Sequence, residues 1–229
     1  VVADLHFAPT AWARDNLLRE GVPDGRIAVT GNPGLDALRW ALALPFDPSH
    51  DPLADLPPDK RILLVTAHRR ENQAHIGAIC AALRRLAARG DVHVVYPVHL
   101  NPNIHEPVLA ALGDAPHVSL LAPLDYQPLV RLMQHSALVL TDSGGIQEEA
   151  PALGKPVLVL RDVTERPEGV AAGTARLVGP HEEAIVAAAT RLLDDPAAYE
   201  AMAHAVNPYG DGHAAERIVA RLLAEGAHG

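Results

Sequence analysis

The sequence predicts an α/β fold, a doubly wound parallel sheet with helices on both faces. Short β-like runs alternate with helix-like stretches over most of the 229 residues, the order that sets a parallel sheet between helical layers. Several runs are near-continuous Val and Leu, as strands covered on both faces require. The most polar, glycine-rich stretches fall where such runs end, which is where open α/β sheets bind ligands.

In chain order the strands are "LHFAP" (5–9), "RIAVTG" (26–31), "RILLVTA" (61–67), "VHVVYPV" (92–98), "HVSLL" (117–121), "ALVLTD" (137–142), "PVLVL" (156–160) and "ARLVG" (175–179). Between them "AWARDNLLREG", "HIGAICAALRRLAARG", "IHEPVLAALG", "YQPLVRLMQHS" and "GIQEEAPALGK" carry apolar residues at helical spacing. The chain closes on "HEEAIVAAATRLLDD", "PAAYEAMAHA" and "AAERIVARLLAEG", all helical in pattern. "ALPFDPSHDPLADLPPDKR" breaks the alternation with Pro and Asp and reads as a linker. The expected organisation is a remnant of one unit at 1–40, a linker at 41–60, the main unit at 61–205 and a C-terminal helical segment, 206–229, that crosses back to the first unit. A remnant of two strands and two helices does not bury both faces of a sheet by itself. The opening "VVADLHFAPT" reads as a strand entered midway with no initiating Met, so the chain is expected to begin inside a larger protein.

Composition narrows the function classes. The chain is 48% hydrophobic but 3% aromatic, so Ala, Val and Leu must form the core. A net charge of -9 disfavours a general nucleic-acid or anionic-membrane surface. A local phosphate site remains open, because a helix N-terminus and a few arginines can build one in an acidic protein. The one cysteine, Cys80, sits in an amphipathic helical pattern and reads as a buried structural thiol in a reducing, cytoplasmic setting. No apolar run reaches the ~20 residues of a membrane span.

Four stretches carry candidate chemistry. "LVLTDSGGIQEEA" delivers a strand to Ser143-Gly144-Gly145 and then a helix. Glycines let a phosphate approach the backbone, and the helix N-terminus offers unpaired N–H groups. Glu149 lies about one and a half turns further on, where a carboxylate can accept from both hydroxyls of a ribose; the alternative is a tight turn with a solvated Glu-Glu pair. "VTAHRRENQ" sends His68, Arg69 and Arg70 out beside that point, as a phosphate-binding group or as a polar helix start. Arginine offers a planar fork to phosphate, and histidine can carry charge near neutral pH. "LRDVTERPEG" either clamps a ligand with Arg161 and Arg166 or holds internal salt bridges. "YPVHLNPN" places His99 after its strand, and "NPYGDGHA" sets Asp211 where it could cap the last helix. Histidine spacing and the single cysteine give metal little support, and neither a nucleophile elbow nor a dinucleotide fingerprint is present.

Together "HRREN", "YPVHLNPN", "TDSGGIQEEAPALGKPV", "RDVTERPEG" and "NPYGDG" resemble the non-hydrolysing UDP-N-acetylglucosamine 2-epimerase family in order and spacing. The resemblance implies a Rossmann-like unit, the C-terminal domain of a two-domain GT-B-type architecture. It implies interconversion of UDP-GlcNAc and UDP-ManNAc by elimination and re-addition of UDP, without metal or nicotinamide cofactor. By motif, Ser143, Gly144 and Gly145 would hold the UDP phosphates, Glu149 the ribose, and Arg166 the nucleotide. Leu124 and Leu129 would line the uracil pocket, and His68 would assist departure of UDP. Arg69 and His99 match contacts to a second, activating UDP-GlcNAc. The parent would be a cytoplasmic homodimer serving surface polysaccharide synthesis. Residues 1–40 match only the last portion of the family's N-terminal domain, so the chain is expected to bind UDP weakly and catalyse little. The competing readings are a GT-B glycosyltransferase domain, a hydrolysing epimerase relative and a non-catalytic UDP-sugar-binding module.

Overall fold

A computed structural model describes residues 2–226; residues 227–229 at the end of the expected C-terminal segment lie outside the described residues. The chain divides into two compact units, one of residues up to Leu44 together with those from Asn207, the other Pro45–Val206.

The first unit holds strands β1 (His6–Ala8) and β2 (Ile27–Val29), paired in parallel, with helices α1 (Ala11–Arg19) and α2 (Pro33–Ala43). Thr10 starts α1 by accepting from Ala13 N–H, and Asn32 starts α2 by accepting from Gly34 N–H, with Pro33 supplying a preset φ. The last helix of the chain runs Ala214–Gly226 and packs on α2. Asp211 does not cap its first amides. Those of Ala214 and Ala215 go to the Asp36 carboxylate on α2, while Asp211 accepts from His213 N–H and the Arg217 guanidinium.

Two turns of this unit meet backbone to backbone. Asn32 N–H donates to Tyr209 O at 2.8 Å, and Gly31 and Gly210 both take positive φ, 87° and 118°. A Cβ on Gly210 would lie 3.0 Å from Gly31 Cα, a main-chain atom that has no rotamer to swing away. Gly210→Ala should therefore destabilise this unit by roughly 1–3 kcal/mol. Both tryptophans, Trp12 and Trp40, lie in this unit, so the shift can be read from the urea midpoint of their fluorescence. An unchanged midpoint would mean that the turns can separate without cost.

The second unit is a six-stranded parallel sheet of β3 (Arg61–Thr66), β4 (Val92–Pro97), β5 (Val118–Leu121), β6 (Leu138–Thr141), β7 (Val157–Val159) and β8 (Ala175–Leu177), ordered β5-β4-β3-β6-β7-β8. Each strand sits on the Val/Leu run that predicts it. The order reverses between β3 and β6, the switch point at which doubly wound sheets open a crevice.

Alternate strand residues face opposite layers. Leu63, Val65, Val94, Leu138, Leu140 and Leu158 pack with helices α3 (Ile76–Ala87), α4 (Pro102–Leu112) and α8 (Glu182–Asp194). The intervening Leu64, Val95, Val139, Val157 and Val159 are equally buried on the side of α5 (Tyr126–His135) and α6 (Gly144–Ala152). Cys80 is buried in α3, and burial pushes its thiol up to about 11, which keeps it protonated and unreactive.

Helix α6 begins at Gly144, in the Ser143-Gly144-Gly145 turn from which a helix is expected. Beyond Arg166, Pro167–Ala172 form the short helix α7, ended by Gly173 in the left-handed conformation. The Pro- and Asp-rich linker is docked rather than free. Asp51 binds Arg131 of α5 through two hydrogen bonds of 2.8 and 2.9 Å, and the Arg131 guanidinium lies 4.7 Å over the Phe46 ring. Helix α9 (Pro196–Ala203), capped by Asp195, completes the unit.

Candidate functional site

The carboxyl ends of β3 and β6 are stitched together by residues chosen for polarity inside an apolar sheet. Thr66 and Thr141 are register partners, and their buried hydroxyls meet at 2.6 Å. Thr141 Oγ1 also accepts from Ser143 N–H at 2.9 Å, which turns the chain sharply from strand into α6. Ser143 stands at the N-cap of α6 without a side-chain capping hydrogen bond.

Asp142, 0% exposed, carries the next link. Its Oδ2 accepts from His68 N–H (2.9 Å), Arg69 N–H (2.7 Å) and Asn72 Nδ2 (3.0 Å), so the "HRREN" turn is pinned to the end of β6. Asn72 Nδ2 donates also to Leu160 O at 3.0 Å, and Tyr96 Oη donates to Ala67 O at 2.6 Å. Strand ends β3, β4, β6 and β7 are thereby held as one rigid platform, the property a preorganised site needs.

Above the platform lies a cleft of about 370 Å³, lined by His68, His99, Leu124, Leu129, Ser143, Gly145 and Glu149 among other residues. These seven expected site residues follow four different strands, β3, β4, β5 and β6, in the connections beyond them or in the helices α5 and α6, and meet in one place. Gly144 is buried at the cleft's edge, where a Cβ would stand 3.6 Å from Arg166 Nη2 and 3.8 Å from Arg69 Nη2. Both guanidinium groups thus flank the N-terminus of α6. The His68 and His99 rings stack, centroids 5.7 Å apart and 15° between planes, so His99 shares a wall with His68 rather than forming a separate surface.

The arginine loop divides its work. Arg161 is buried and tied to Glu71 and Glu165, which is the internal salt-bridge alternative. Arg166 pairs with the buried Glu148 of α6, and Thr164 Oγ1 donates to Gln147 at 2.6 Å, so this loop rides on α6. Glu149 receives a 3.3 Å hydrogen bond from Tyr126 Oη. Burial, reinforced by the Glu148 charge and opposed by the Tyr126 bond, pushes the Glu149 carboxyl up to about 7; Tyr126 is pushed up to about 12, first by burial and then by Glu149.

Sequence reasoning passed over Asp142, Asn72, Glu148 and Tyr126. A signal existed for two of them: an Asp ending an apolar strand, and an Asn two residues beyond an arginine pair, are costly inside a core unless they hold backbone groups. A second cavity of about 430 Å³ lies between β8 and α8, with Arg161, Arg176 and Arg191 among its walls, Arg161 being the only candidate residue of the sequence that lines it. Among the described residues there is no cluster of His, Cys, Asp and Glu suited to a metal ion, and no helix is long and apolar enough to cross a membrane.

A parallel sheet of this order, with a glycine-bearing helix N-terminus at its switch point, defines a Rossmann-like α/β protein with a cleft at the carboxyl ends of its central strands. The sequence profile of the UDP-N-acetylglucosamine 2-epimerase family matches residues 1–223, and the chain belongs to that family. It is 52% identical to the UDP-N-acetylglucosamine 2-epimerase of Escherichia coli K12 over 96% of this chain and 61% of the relative. Among solved structures it resembles the UDP-GlcNAc 2-epimerase from Neisseria meningitidis bound to UDP-GlcNAc (44% identity, TM-score 0.91, 97% of this chain and 62% of that one). It also resembles the Methanocaldococcus jannaschii UDP-GlcNAc 2-epimerase in complex with UDP-GlcNAc and UDP (31% identity, TM-score 0.80, 97% and 61%). The chain spans about three fifths of the length of these relatives.

Proposed function

We propose that the cleft holds the UDP part of UDP-GlcNAc and UDP-ManNAc, and that the chain supplies the nucleotide-binding half of a non-hydrolysing UDP-GlcNAc 2-epimerase. The observation that carries this reading is the convergence of Arg69, Arg166 and the α6 N-terminus on Gly144, beside His68 and within the same cleft as Glu149. The diphosphate lies against the amides of Gly144 and Gly145 and the Ser143 hydroxyl, between the two guanidinium groups. Glu149 accepts from the ribose hydroxyls in place of Tyr126, and the uracil rests on Leu124 and Leu129. Arg69 faces the diphosphate edge and, with His99, forms the side on which a second UDP-GlcNAc would pack.

In the proposed reaction the C1–O bond to UDP and the C2–H bond break, leaving a C1=C2 double bond in 2-acetamidoglucal. UDP then returns to C1 as a proton is delivered to the opposite face of C2. His68 and the arginines stabilise the charge that develops on the departing diphosphate. The C2 proton needs an acid/base pair on the sugar, and Glu149, engaged by the ribose, is not free to supply it. The working protein is a cytoplasmic homodimer, a reading that rests on the resemblance to the family.

Proton NMR of the chain with UDP-GlcNAc checks this directly. The expected outcome is saturation transfer to the uracil and ribose protons without a growing ManNAc anomeric signal. Absence of transfer would remove the nucleotide from this cleft, and rapid epimerisation would place the C2 acid/base groups within these residues.

A further inference from the structure

The two oxygens of the buried Asp142 carboxylate differ. Oδ2 accepts three hydrogen bonds, from His68 N–H, Arg69 N–H and Asn72 Nδ2. Oδ1 is buried with no hydrogen-bond partner, and the group that faces it is His68 Nδ1, 3.5 Å away. A buried carboxylate oxygen without a donor is costly, so its retention calls for a reason other than holding the turn, which Oδ2 already does.

We propose that Asp142 is a positioning residue for His68. It accepts the Nδ1 proton, fixing the neutral ring as the Nδ1–H tautomer and turning Nε2 away from the platform into the cleft. A separation of 3.5 Å is ion-pair reach, and contacts of this kind tighten when a ligand closes on the ring. A proton carried at Nε2 then stands on the side where the diphosphate departs. The same logic of a buried carboxylate setting tautomer and direction is known from acyl-transfer triads. The other charged or titratable groups around the ring are His99, stacked on it, Glu149 and Tyr126 in the cleft lining, and Arg69 next in the chain. Among them Asp142 is the one set against Nδ1.

The role assigned to Nε2 rests on the reading that the cleft binds a nucleoside diphosphate, whereas the tautomer does not, so the two can fail separately. The test is long-range ¹⁵N–¹H correlation of the histidine rings at about pH 8.5, well above the ordinary histidine range. His68 is assigned by the signals lost in His68→Gln. Wild type should show His68 protonated at Nδ1 and bare at Nε2.

In Asp142→Asn the amide oxygen can keep the backbone bonds while its NH₂ stands where Oδ1 was, a donor facing Nδ1. The proton should then move to Nε2, and binding of UDP-GlcNAc should fall about tenfold as the carboxylate that directs the ring is lost. A wild-type ring protonated at Nε2, or an Asn variant with an unchanged tautomer, overturns the proposal. The wild-type measurement decides it even if the variant does not fold. The expected tautomers with no UDP-GlcNAc binding in wild type would keep the positioning role and sink the nucleotide reading instead.

Discussion

Arg166→Ala is expected to weaken UDP binding about 100-fold and to destabilise the second unit at the same time. The affinity loss has two sources. One charge-assisted contact to the diphosphate disappears, worth about 1.5–3 kcal/mol. The Glu148 carboxylate, 8% exposed and paired with Arg166, loses that countercharge next to the anion site. Together these reach about 3 kcal/mol, or roughly two decades in Kd. Breaking a fully buried ion pair from one side costs about 3–5 kcal/mol, but the Arg166 side chain is 36% exposed, so about 2 kcal/mol is the expected loss of stability. Adding Glu148→Gln should restore most of the stability and only that share of the affinity lost to the Glu148 charge, the lost Arg166 contact to the diphosphate remaining. Isothermal titration with UDP and urea unfolding separate the two effects. Lost stability with unchanged affinity would make Arg166 a structural partner of α6 and nothing more.

Binding of UDP-GlcNAc should weaken as pH falls below neutrality, because Glu149 must be ionised to accept from the ribose. Burial holds its carboxyl at about 7, so at that pH half of the free protein still carries the proton. Below it, binding must expel that proton, and affinity falls toward tenfold per pH unit, roughly 15-fold between pH 7 and pH 5.5. UDP-GlcNAc is the right probe, since its diphosphate diester does not titrate in this window. Glu149→Gln should bind more weakly at pH 8 and lose this dependence.

The sign for folding follows from the same shift. A carboxyl raised from 4.5 to about 7 contributes stability that is fully present below pH 4.5 and lost as pH rises through 7. The melting temperature of Glu149→Gln relative to wild type should therefore rise between pH 5 and pH 8. A wild-type affinity flat across this range would mean that the Glu149 carboxylate does not meet the ligand.

The sheet was legible because parallel strands leave a local trace. Runs such as "RILLVTA" and "VHVVYPV" are apolar on consecutive residues rather than on alternate ones, as a strand with helices on both faces requires. The helices were less legible at their ends. Pro167 marks a helix start as readily as a loop, and nothing in its neighbours' spacing distinguishes the two. The Pro- and Asp-rich stretch looked like a tether by composition, but Asp51 and Phe46 found Arg131 some eighty residues away, a pairing that composition does not encode.

Sequence by itself determined the α/β class, the family resemblance and the residue types of the cleft, since each is written in nearby residues or in motif order. Tertiary structure decided which of them face one another. Arg161 and Arg166 sit five residues apart in one loop, yet one is spent on Glu71 and Glu165 while the other reaches the N-terminus of α6. Asp142 read as the end of a strand and proved to be the anchor of a turn more than seventy residues earlier. The physical reason is that a buried charge takes its meaning from what surrounds it: hydrogen-bond partners and desolvation depend on distances between strand ends, and those distances exist only once the sheet has formed.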